Sequence, residues 1–202
     1  MAKIDLKKEL KGIYSNISSS KFSIVDVPPL NFLMIDGQGD PNTSADYQAA
    51  MEALYPISYT LKFMMKDKGN DYVVMPLEGL WWVPNMEGFS EENKDAWYWT
   101  SMIMQPDFIT PALFDQAVAE VKKKKAPAAL DKVRFEVYEE GKSVQILYFG
   151  PYSDEGPTIA NLHKFIEKQG YSRRGKHHEI YLSDPRRTKP DRLKTIIRQP
   201  VS

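Results

Sequence analysis

The chain has 202 residues, enough for one domain or two small ones with a self-sufficient core. It contains no cysteine, which excludes disulfides, thiolate metal sites and a cysteine nucleophile and fits a reducing cytosol. Lysine plus arginine and aspartate plus glutamate balance at 27 each, so no net field draws in nucleic acid. No signal-peptide pattern opens the chain, and no apolar run approaches the roughly 18–20 residues that span a bilayer. The expectation is a cytoplasmic protein with neither membrane nor direct nucleic-acid contact. The basic runs Lys122–Lys125 and Arg173–Lys176 read as solvated.

In chain order, residues 1–21 form an N-terminal extension, a short charged segment followed by the linker SNISSSK. It is too short for a helix-turn-helix module. Strands are expected at Phe22–Val27 and Asn31–Asp36. A helix follows over Asn42–Lys66, capped by Thr43 or Ser44, with Tyr47, Met51, Leu54, Leu61 and Met65 along one side. Pro56 is expected to kink or split it. Asp71–Val83 reads as a strand interrupted by Pro76 and Gly79, and residues 84–94 as an acidic loop. Asp95–Met104 is the next strand, with Trp97, Trp99, Ser101 and Ile103 on one face. Thr110 caps a helix over Pro111–Lys125. Val133–Glu140 and Ser143–Gly150 flank Glu140-Gly141 as an expected hairpin. A helix over Thr158–Gln169 precedes a strand from Lys176 to Ser183 and a last one at Leu193–Gln199.

The order strand, helix, strand, strand therefore runs twice, at about 31–104 and again at about 143–199. The predicted fold is α+β: a duplicated strand-helix-strand-strand unit with pseudo-twofold symmetry, an antiparallel sheet, and helices on one face. A ligand cleft between the halves is the expected consequence.

Period-two alternation in HHEIYLS separates Ile180 and Leu182 from His177, Glu179, Tyr181 and Ser183. If helices cover the Ile180 face, Glu179 lines the remaining surface. A carboxylate among aromatic faces loses solvation, which raises its pKa toward base chemistry. Tyr72 occupies the matching point of the first repeat, where its phenol would donate to a ligand carbonyl. All four tryptophans fall within residues 81–99. Trp81 and Trp82, as strand neighbours, face opposite ways, whereas Trp97 and Trp99 share a face. Aromatic candidates for ligand contact are Trp81, Trp82, Trp97, Trp99, Tyr138, Tyr148 and Tyr181, with His177 as a helper on the Glu179 face. Glu78, between Pro76 and Gly79, reads as a solvated edge residue, with a second functional acid as the other reading. His163, His177 and His178 lack metal-binding spacing, and no nucleotide fingerprint or serine-hydrolase elbow is present, so neither metal nor cofactor is expected.

The element order, the YLSDPRR stretch with its LKTIIRQPV tail, and the PLEGLWW segment resemble the GyrI-like small-molecule-binding family over about residues 22–200. That family is related to gyrase-inhibitory proteins and to the effector-binding domains of multidrug-responsive regulators. Without a DNA-binding module, the chain resembles the stand-alone members. The resemblance implies an aromatic cleft with a central acid, here Glu179, that takes hydrophobic or cationic aromatic molecules. Some stand-alone members hydrolyse cyclopropane-bearing, DNA-alkylating toxins, which would give Glu179 and Tyr72 catalytic roles without a cofactor. Ligand sequestration and a DNA-gyrase interaction are the other readings, the latter through the acidic loop Glu87–Asp95.

Overall fold

Ser44, one of the two caps the sequence offers, starts the longest helix, its hydroxyl accepting the Tyr47 backbone N–H at 3.3 Å. The computed structural model describes residues 3–84 and 91–202, with nothing described of the side chains of 91 and 92. Residues 87–90 of the Glu87–Asp95 loop therefore lie outside the described residues. The elements are α1 (Leu6–Glu9), β1 (Ser23–Val27), β2 (Leu30–Gln38), α2 (Ala45–Asp67), β3 (Leu77–Trp82), β4 (Tyr98–Gln105) and α3 (Pro111–Lys124). They continue as β5 (Arg134–Tyr138), β6 (Gly141–Phe149), α4 (Gly156–Lys168), β7 (His177–Tyr181) and β8 (Lys194–Pro200). The fold is α+β, and every strand register resolved between these elements is antiparallel. Among the described residues, no helix is long and apolar enough to cross a membrane.

The chain divides into two compact units. The first comprises residues 1–6, 30–75 and 81–138; the second comprises 7–29, 76–80 and 139–202. In the first unit the strands run β4-β2-β5. The β2–β4 register sets Gly37 opposite Trp99 and Leu33 opposite Ile103, so these residues share a sheet face. Helices pack on that face: Tyr47 of α2 meets Trp99 edge-on, and Phe114 of α3 stacks on Phe135 of β5. Pro56 does not split α2. Leu54, Ile57 and Leu61 are fully buried on both sides of it, and burying each contributes about 1.5–3 kcal/mol, enough to offset one lost backbone bond.

Two sequence expectations fail for physical reasons. The strand expected at Asp71–Val83 is confined to Leu77–Trp82 because Pro76 cannot donate to a ladder. Residues upstream bond instead to Ile4, whose N–H donates to the Asp71 carbonyl while the Val73 N–H donates to the Ile4 carbonyl. The hairpin at Glu140-Gly141 does not form. β5 pairs with β2, and β6 pairs with β1 and β8.

In the second unit the strands run β1-β6-β8-β7. Val144, Ile146 and Ile197 form a core cluster with Leu162 and Ile166 of α4. Because Ile197 lies opposite Glu179, α4 covers the Glu179 face of the sheet, so the condition under which Glu179 would line the uncovered surface, helices on the Ile180 face, is not the one α4 meets. In chain order, β2-α2-β3-β4 and β6-α4-β7-β8 show the strand-helix-strand-strand order twice.

Candidate functional site

Glu179 sits mid-strand in β7, and alternation places His177 and Tyr181 on its own side. His177 Nε2 lies 3.1 Å from Glu179 Oε1, and the Tyr181 hydroxyl donates to Glu179 Oε2 at 2.7 Å. The Glu179 side chain is 15% exposed and that of His177 only 3%. Tyr152, just before α4, meets Tyr181 edge-on at 5.3 Å between ring centroids. Next to Tyr181 in the register lies Thr195, whose buried hydroxyl has no hydrogen-bond partner among the described residues. The sequence joined Glu179, Tyr181 and His177, and the structure brings all three together.

The ionisation of this acid corrects the expectation. Burial pushes the Glu179 pKa up, but hydrogen bonds from His177 and Tyr181 and the charges of His177 and His178 outweigh it and hold it below the usual carboxylate range. Glu179 is therefore a carboxylate at neutral pH, better suited to hold a cation than to take a proton.

Behind this group lies a second constellation that the sequence reading missed. Glu78 is fully buried, not solvated. Its Oε1 accepts the Tyr14 hydroxyl at 2.8 Å, and its Oε2 lies 3.0 Å from His178 Nε2. His178 Nδ1 lies 2.8 Å from Glu140 Oε1, so both ring nitrogens face carboxylates and both must carry protons. Glu140 Oε2 in turn accepts from Arg198 Nη1 at 2.9 Å. Arg198 also donates to the Gln145 side chain and to the Ile13 carbonyl. Burial lowers the His178 pKa, but the two glutamates outweigh it and raise the pKa to about 9. Burial raises that of Glu140, but His178 and Arg198 bring it down to about 2. Tyr14 belongs to the N-terminal extension, yet it is only 2% exposed. Tyr14→Phe is expected to destabilise the protein by about 1–3 kcal/mol by stripping a donor from a buried carboxylate, measured by chemical denaturation.

The remaining candidates separate. Tyr72 belongs to the first unit, is 1% exposed, and directs its hydroxyl to Gln105 Oε1 at 3.3 Å. Burial raises its pKa. Trp81 stacks on Tyr47 and meets Trp97 edge-on, while Trp82 stacks on Tyr98, so the two neighbours do face opposite ways. Trp97 carries the Lys94 ammonium over its ring at 5.4 Å. Tyr138 lies edge-on to Phe32, and the Tyr148 hydroxyl donates to the Pro151 carbonyl. Trp99 is 1% exposed, and its indole N–H has no partner among the described residues. A Cβ on Gly37 would lie 2.1 Å from Trp99 Cζ2. Gly37→Ala should therefore cost about 1–3 kcal/mol and shift tryptophan emission, both readable in one thermal melt followed by fluorescence.

Among the described residues, no group of three His, Asp or Glu side chains is arranged to hold a metal ion. A model of the GyrI-like small molecule binding domain matches residues 20–202. A solved, uncharacterized conserved protein from Listeria innocua is similar at 43% identity, covering 99% of this chain and 100% of its own, with a TM-score of 0.92. A solved hydrolase from Listeria innocua is similar at 42% identity over 100% of both chains, with a TM-score of 0.89. The C-terminal domain of EcmrR shares the fold at 13% identity, over 90% of this chain and 97% of its own, with a TM-score of 0.56. Comparison with curated proteins gave no match.

Proposed function

Because the chain belongs to the GyrI-like small-molecule-binding domain family, we propose that it holds a hydrophobic, aromatic cation against the Glu179 carboxylate. The observation that carries this reading is the state of Glu179, an ionised acid fixed by two donors and still 15% exposed beside the Tyr152–Tyr181 pair. Its negative charge supplies the counter-ion, and the tyrosine rings supply apolar faces with electron-rich surfaces. Such sites combine an apolar lining with a few fixed polar groups.

A second reading is hydrolysis, favoured by the likeness to the Listeria innocua hydrolase. For a cyclopropane-bearing alkylator the oxygen of water would attack a ring carbon. The strained C–C bond would break with its electron pair moving into the conjugated carbonyl. Glu179 would accept the water proton and return it to the product, for a net gain of one water. The lowered pKa makes Glu179 a weak base, so ring strain would have to supply much of the driving force.

The test is equilibrium dialysis with ethidium, together with mass analysis of a cyclopropane-bearing alkylator after incubation. Ethidium retention with unchanged alkylator is the expected result for a binding protein. A gain of one water that disappears in Glu179→Gln would establish the hydrolase. No retention and no hydrolysis would overturn both.

A further inference from the structure

A groove of about 750 Å³ opens in the second unit between α4 and β6. Ligand sites typically span roughly 300–1,000 Å³. Its apolar wall is formed by Phe22, Ile146, Tyr148 and Phe165. None of His177, Glu179 and Tyr181 lines this groove.

The polar residues of the groove all point to one sign of charge. Lys164 and Lys168 line it, and no carboxylate does. They stand one turn apart on α4, a like-charge spacing that repels and that an anion would relieve. Thr158 and Asn161 add neutral hydrogen-bonding groups along the same helix, and Ser19 and Ser20 face them. An apolar floor with a cationic rim is the wrong sign for a lipophilic cation and the right one for an amphipathic anion.

We propose that this groove binds a long-chain alkyl carboxylate, its chain on Phe22, Tyr148 and Phe165 and its carboxylate at Lys164 and Lys168. The groove is a site separate from Glu179. Chain length sets affinity, with each added methylene strengthening binding about fourfold while the chain stays in contact with the wall.

The test is isothermal titration of the full chain with dodecanoate below its micelle concentration. Octanoate, decanoate and dodecyltrimethylammonium serve as comparisons. Saturable one-site binding is expected, rising with chain length and at least tenfold weaker for the trimethylammonium head. The exposed double variant Lys164→Glu/Lys168→Glu should weaken dodecanoate at least tenfold and leave ethidium retention unchanged. Absence of saturable binding, equal affinity for the cationic head, or an unaffected double variant would each overturn the proposal. Ethidium failing to bind while dodecanoate behaves as expected would sink the Glu179 reading alone.

Discussion

Arg198→Met is expected to lower the unfolding free energy by about 3–5 kcal/mol, the usual cost of removing one partner from a buried ion pair. Arg198 is 1% exposed, and so is Glu140, the carboxylate it would abandon. Methionine fills much of the same volume but leaves Glu140 Oε2, Gln145 Oε1 and the Ile13 carbonyl without their donor. Glu140→Gln in the same chain should restore part of the loss, because the orphaned charge is then gone. The pH dependence carries the same signature. The stabilisation from His178 is full below its unfolded value of 6.5 and is lost as pH rises through about 9. That from Glu140 is present above 4.5 and is lost as pH falls through about 2. The gap in stability between the natural chain and Arg198→Met should thus be at full size above about pH 4.5 and narrow as pH falls through about 2, because the Glu140 carboxylate that Arg198 pairs is then protonated. Chemical denaturation across that range decides it, and a gap under 1 kcal/mol at pH 6 would mean that the network is not ionised.

What the sequence made legible was local. Ser44 and Thr110 both cap the helices they were expected to cap, because an N-cap is a bond across three residues. Alternation alone set His177 and Tyr181 beside Glu179. What it could not supply was the partner from far away. Glu78 looked solvated between a proline and a glycine, yet its two partners come from 64 and 100 residues away. Glu140 looked like a turn residue for the same reason, although its side chain meets His178 and Arg198 across 38 and 58 residues. One signal was available: a charged Arg198 directly after Ile196 and Ile197 in the last strand demands a buried acid wherever that strand is buried. Alternation also divides a strand into two faces without saying which one a helix covers. That is why the sequence left the covered face open, and the structure puts α4 on the Glu179 side.

Glu179→Gln is expected to weaken ethidium binding about 30-fold or more, while a neutral aromatic of similar shape changes less than threefold. Truncating one member of a partly desolvated charge pair costs about 2–5 kcal/mol, and 2 kcal/mol is already about 30-fold. Glutamine keeps the size of the side chain and can still accept from Tyr181, so apolar contact is preserved and only the charge is lost. Tyr181→Phe removes one of the two donors that hold the carboxylate and should have a smaller effect on affinity. It should also allow the pKa of Glu179 to rise, since that hydrogen bond lowers it. In the natural chain ethidium affinity should therefore stay level as pH falls to the usual carboxylate value of 4.5, because Glu179 titrates below it. In Tyr181→Phe the decline should begin at higher pH. Dialysis at stepped pH measures both. Equal losses for the cation and the neutral analogue in Glu179→Gln would assign the acid to shape alone, and an unchanged ethidium affinity would remove it from the site.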